Sequence, residues 1–228
     1  MTSHGGTCDQ CALPESKLAF GAADVIGFRA GHRKVDGKIY LPGKKAATND
    51  WTLTVLDDKG ALVANTGAIT PTGAMQSTLP QGIVVSSVPG QADQLVVGGA
   101  LGTTPSSAAA TAWTKAGAPV GGSYTLPAIY WDPAYNRTPM ARQCDDKALI
   151  AAVSNDSPRR PVIARINGRT LAPDTTWGTA GVATIQYDSG VADQLNTGVA
   201  ILERPDGRLV VIGHTNKLDG AWVFQLLP

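Results

Sequence analysis

An all-β fold, a small closed β-propeller of about four blades, is what this sequence predicts. Two observations lead there. A turn followed by an apolar run recurs about every 50–60 residues, at Asp36 to Lys44, Asp93 to Gly99, Asp146 to Val153 and Asp206 to His214. The chain ends are also complementary. The final strand-like run, Trp222 to Leu226, begins a copy with no chain left to complete it, whereas the N-terminal hairpin lacks that preceding strand. Pairing the N- and C-terminal strands would complete one blade, close the ring and remove exposed sheet edges.

Each copy reads as four short strands. In the last copy, Gly198 to Glu203 and Arg208 to Ile212 flank the turn Pro205-Asp206-Gly207. Asp-Gly between aliphatic runs is a strong hairpin signal, because glycine accepts the positive φ of a tight turn. Ile26 to Ala30 and Lys38 to Leu41 flank Asp36-Gly37 in the same way, Gly82 to Val88 precedes Gln94 to Val97, and Met140 to Cys144 precedes Ala148 to Ala151. A third strand alternates apolar and polar residues at Trp51 to Leu56, Val162 to Ile166 and Trp222 to Leu226, with a poorer copy around Trp113. A short fourth strand is expected at Ala61 to Ala64 and at Gly181 to Ile185. Trp51 and Trp222 hold equivalent positions and are expected to pack between blades. The small-residue stretch Gly98 to Ala112 reads as a long loop. Residues 1–17 form a loose N-terminal segment, and residues 18–228 a single propeller domain.

The residues around the last two copies resemble the delta-60 repeat. Ile163-Ala164-Arg165-Ile166-Asn167, the following Gly168 to Gly181 with its Trp177-Gly178, and Pro205-Asp206-Gly207-Arg208-Leu209-Val210-Val211-Ile212-Gly213 carry the likeness over about residues 160–214. The second and third copies depart from it, lacking the Asp-Gly and Phe-Gly signatures. The resemblance implies a bacterial, often surface or secreted, propeller-like protein and transfers no catalytic residue.

Composition narrows the function. With 228 residues, 43% hydrophobic and 16% charged, the chain can bury one sizeable core. Its net charge is +1 and its basic residues are scattered, which argues against nucleic acid, whose binding needs clustered Lys and Arg. No apolar run reaches the roughly 20 residues of a membrane span. The start of the chain lacks the basic and apolar regions of a signal peptide. A cytosolic or virion-borne protein and the mature part of an exported one both remain open, with an extracellular or periplasmic location preferred.

No catalytic constellation is apparent, and no cofactor or metal is expected. Cys8 and Cys11 have the spacing of half a zinc site or of a redox pair, but the other half of a zinc site is missing, so a local disulfide or free thiols in the N-terminal segment are expected. Cys144 is read as a small packed residue. His32 and His214 fall at different places in their repeats and His4 lies near the start, so they make no symmetric ligand set. Asp57-Asp58, Asp145-Asp146 and Asp132 are candidate acid–base pairs for glycoside hydrolysis, yet most occupy turns where Asp bonds its own backbone. The Asn-x-Ser/Thr triplets at Asn136 and Asn155 are read as chance matches to the glycosylation pattern. The most distinctive cluster is Ala128 to Arg137, expected as an insertion on one rim. Its Tyr130, Trp131, Asp132, Tyr135 and Arg137 combine aromatic faces with polar tips, a pattern that suits a sugar ring or a protein partner. The leading expectation is therefore a non-catalytic recognition module that binds a protein or a carbohydrate through rim loops. The alternatives are a hydrolase or lyase with carboxylates or histidines converging from several blades, and a structural subunit of a larger assembly.

Overall fold

The structure is a computed structural model and describes residues 25–26, 33–45, 50–69, 79–101, 106–121, 123–131, 140–154, 160–185, 196–215 and 221–226. The N-terminal segment 1–17, with Cys8 and Cys11, lies outside them. Every strand pairing is antiparallel, and no helix occurs among the described residues.

The first repeat supplies β1 (Val25–Ile26), β2 (Arg33–Val35), β3 (Lys38–Lys45), β4 (Trp51–Asp57) and β5 (Leu62–Ile69), joined in one sheet. The second supplies β6 (Leu79–Ser86), β7 (Gln94–Leu101), β8 (Ser106–Thr114) and β9 (Tyr124–Trp131). The third supplies β10 (Met140–Arg142), β11 (Lys147–Ser154), β12 (Pro161–Asn167) and β13 (Val182–Thr184). These two repeats are joined into one eight-stranded sheet where Tyr130 pairs with Val153 and Ile129 with Ser154. The fourth repeat, β14 (Asn196–Glu203), β15 (Leu209–Thr215) and β16 (Ala221–Leu226), forms a three-stranded sheet.

Strand alternation sends neighbouring side chains to opposite faces, and the second and third repeats use this to pack against a neighbour on either side. Ile83, Val85, Leu95 and Val97 join Tyr40, Trp51, Leu53 and Val55 in a core between the first and second repeats. The intervening Val84 and Val96 face the other way, onto Ala148, Ile150, Ala164 and Ile166 of the third. Leu149, Ala151 and Ile163 in turn meet Ile201, Leu209 and Val211 of the fourth. Each fully buried aliphatic side chain contributes roughly 1.5–3 kcal/mol. The result is a stack of antiparallel sheets. Trp51, with no exposed surface, packs between the first two repeats as expected. The side chain of Trp222 lies outside the described set.

Turn chemistry explains the hairpins. Asp36 and Gly37 both have positive φ, the conformation of a two-residue hairpin turn. In the third repeat Asp146 (φ 65°) fills the left-handed position that Gly207 (φ 79°) takes in the fourth. Asp tolerates that region better than most residues, so the hairpin forms there without its Asp-Gly signature.

Three expectations need correction. Gly98 to Ala112 is not a long loop: β7 and β8 run through most of it and pair from Gln94↔Thr114 to Leu101↔Ser107. Ala108, Ala109, Ala110 and Ala112 are fully buried, their small side chains letting sheets approach closely on both faces. Ala128 to Trp131 is not part of a rim insertion but the end of β9, held by β8 and β11. Lastly, the terminal strands occupy different sheets: β1 pairs with β3, and β16 pairs with β15 among the described residues. The first and fourth repeats build separate sheets, and the second and third share one. The side of the last sheet turned away from the third repeat leaves Leu202 56% and Val223 65% exposed.

Candidate functional site

Polar side chains gather at the turns where repeats meet. Asp146 accepts hydrogen bonds from Ser86 Oγ and from the Ser87 N–H, both at 2.8 Å, and sits 3.4 Å from Arg142 Nε. Lys115 bridges Asp36 of the first repeat and Asp93 of the second. Its hydrogen bond, with a second from Ser87, holds the Asp93 carboxyl below the usual carboxylate range. Asp174 is likewise held low, first by the Thr176 hydroxyl and then by the Thr176 N–H, Arg165 and Lys147. Arg165 Nε lies 2.9 Å from Asp174, and its guanidinium stacks 4.5 Å above the ring of Trp177. Glu203 of the fourth repeat accepts from the Cys144 N–H at 3.0 Å. These carboxylates work as staples between turns and sheets.

Arg169 has no carboxylate ion pair among the described residues. The turn after β12 is built by Asn167, whose Oδ1 accepts from the N–H groups of Arg169 (2.8 Å) and Thr170 (3.0 Å). Gly168 donates its N–H to the Asp146 carbonyl at 3.0 Å, and a Cβ there would lie 2.7 Å from that oxygen. The same Cβ would lie 3.0 Å from Cβ of Ser86 in the second repeat, so only glycine lets the turn press this closely onto both. Arg169 then reaches across, with Nη1 donating to the Ala92 carbonyl at 2.6 Å and to Gln94 Oε1 at 3.2 Å. Its Nε and Nη2 are buried and have no hydrogen-bond partner among the described residues. The Nε atoms of Arg142 and Arg165 also lack a hydrogen bond, but each has a carboxylate beside it.

Arg169 lines a cleft between the second and third repeats, about 350 Å3 in volume. Val120, Gly121, Ser123 and Tyr124 form one wall, and Arg169, Thr170, Leu171 and Ala172 the other. Leu171 is turned in by a left-handed backbone (φ 60°) and is buried against the core. Tyr124 is half-buried, and burial pushes its phenol above the ordinary value. The wall therefore mixes two hydroxyls, a phenol and a guanidinium with an apolar floor.

The sequence-based candidates fall elsewhere. Asp57 caps its own turn, accepting from the N–H groups of Lys59 and Ala61, and Asp145 accepts from the Lys147 N–H. Cys144, read as a packed residue, is exposed. The backbones of Tyr130 and Trp131 lie in β9, while their side chains, and all of Asp132, Tyr135 and Arg137, lie outside the described residues. His32 also lies outside them. The residues of the cleft were not singled out by sequence. The available signal was a cation in the turn after the third strand of two successive repeats, Lys115 and Arg169, each reaching back to the repeat before.

No protein-family model and no curated protein matches the chain. Solved structures do. A protein of unknown function from Dyadobacter fermentans is similar at 14% identity and TM-score 0.53, over 86% of this chain and 51% of that one. The chain thus spans about half the length of that protein, and the likeness shows the fold alone. An endo-arabinase from Bacteroides thetaiotaomicron is similar at 18% identity and TM-score 0.45, over 85% of this chain and 72% of that one. A polysaccharide lyase acting on ulvan is similar at 9% identity and TM-score 0.42, over 86% and 55%. Glycan-degrading enzymes occur among these structures, against the leading expectation of a non-catalytic recognition module.

Proposed function

We propose that the chain is a carbohydrate-active enzyme, a hydrolase or lyase, which takes its glycan in the cleft between the second and third repeats. The cleft itself carries this reading. Its volume of about 350 Å3 lies in the range of small-molecule sites, and an apolar floor edged by a few convergent polar groups is the usual composition of such sites. Leu171 and the Tyr124 ring offer surfaces for the C–H face of a sugar, while Ser123, Thr170 and Arg169 offer hydrogen bonds to its oxygens. We read the four repeats as four blades related to the delta-60 repeat, with the glycan site at a junction between blades. Ring closure would require the outer face of the last sheet, with Leu202 and Val223, to meet the first sheet.

The test is product release. The purified chain is incubated with a panel of plant, algal and bacterial polysaccharides, and oligosaccharides are followed by chromatography and mass spectrometry. Unsaturated ends distinguish elimination from hydrolysis. Release by the native chain, strongly reduced by a Thr170→Trp variant that fills the cleft, is the expected result. No release from any polysaccharide, or release unaffected by the filled cleft, overturns the reading.

A further inference from the structure

The unpartnered nitrogens of Arg169 say more about what enters the cleft. A guanidinium with two buried nitrogens, three N–H groups in all, that lack an acceptor among the described residues carries an uncompensated desolvation cost. The neighbouring carboxylate that feels its charge, Asp93, spends its oxygens on Lys115 and Ser87. Arg142 and Arg165, in comparable turns, have Asp146 and Asp174 in hand. Arg169 has in their place a carbonyl and an amide oxygen, both on Nη1, and a cleft beside it. Guanidinium suits planar, two-point recognition of a carboxylate or sulfate, and its charge persists at every working pH.

Resting on the glycan reading above, we infer that the cleft selects an acidic sugar, a unit bearing a carboxylate or a sulfate ester, and that Arg169 is its specificity-determining residue. The anion supplies the acceptor that the described residues do not. Ser123 and Thr170 then hold sugar hydroxyls, and Leu171 supports the ring. A neutral sugar in the same place leaves Nε and Nη2 unsatisfied and binds more weakly.

The experiment is calorimetric titration of the full chain with tetramers of galacturonate, mannuronate and glucuronate, a sulfated galactan tetramer, the galacturonate methyl ester, and inorganic sulfate. One or more acidic tetramers should bind at least tenfold more tightly than the uncharged ester. Arg169→Gln should bring that tetramer down to the ester's level, and Arg169→Lys should recover part of the loss. Thermal midpoints of both variants report whether they fold, and the acid-against-ester comparison on the native chain stands without them. Equal binding of acid and ester overturns the acidic-sugar inference while leaving the glycan reading intact. Binding of inorganic sulfate as tight as that of any tetramer also overturns it, because the site is then a plain anion site. If no tetramer and no ester binds, the inference and the glycan reading fall together.

Discussion

Asp146 binds Ser86 across the junction of the second and third repeats, accepting the Ser86 hydroxyl at 2.8 Å while its second oxygen takes the Ser87 N–H. Ser86 is almost fully buried, so the pair cannot be exchanged for water without cost. The same residue occupies a left-handed turn position. Asp146→Ala should cost roughly 2–4 kcal/mol, from lost hydrogen bonds plus backbone strain. Asp146→Asn, which tolerates the turn and keeps one acceptor, should cost about half of that. Urea denaturation of the two variants decides it, and equal losses would show that neither the turn conformation nor a single acceptor matters without the full carboxylate.

Strong acid should weaken the junctions. Asp93 and Asp174 are both held below the ordinary carboxylate value of 3.8, so each contributes stability that is complete above it and disappears as pH falls through the lower folded value. Lys115 behaves oppositely: Asp36 and Asp93 raise it above 10.5, and its contribution disappears as pH rises through that raised value. Asp174→Asn should therefore lower the melting temperature near neutral pH and converge on the native protein in strong acid. A loss that is the same at every pH would assign Asp174 no ionic role.

The outer face of the last sheet offers a simple measure of whether anything packs there. Leu202 and Val223 are more than half exposed. Leu202→Thr and Val223→Thr should each change stability by less than about 0.5 kcal/mol. A loss of 2 kcal/mol or more, read from denaturation midpoints, would mean that a further sheet covers this face in solution, as ring closure requires.

Gly178 presents a sharper steric test. Its φ is +52°, and a Cβ there would stand 2.2 Å from the Val182 carbonyl oxygen. Gly178→Ala should destabilise by about 2 kcal/mol or more, combining a left-handed backbone with a clash that only main-chain movement can relieve. A stable variant would show that the loop before β13 repacks freely.

Much of the fold was legible because strand alternation is a local property. Val84 against Ile83 and Val85, or Leu149 against Ala148 and Ile150, can be assigned to opposite faces from the sequence alone, and Asp36-Gly37 announces its own turn. The alanine run at 108–112 was harder, since small residues signal a loop by composition and a tight sheet contact only by their surroundings. The chain ends misled because complementary fragments do not say which strand they pair with. The cleft was least legible. Arg169 comes from the turn after β12 and Tyr124 from the start of β9, and the turn with Gly168 meets the second repeat at Ser86, a contact between residues without sequence proximity. The aromatic cluster at 128–137 drew attention by its density, but aromatic density does not report which face of a strand it occupies.

The most direct measurement is a crystal structure of the chain soaked with the oligosaccharide that it releases or binds most tightly. Density for a sugar between Tyr124 and Leu171, with an anionic group on Nε or Nη2 of Arg169, is the expected result. Sugar density seated on another surface, with the cleft holding only water, contradicts it.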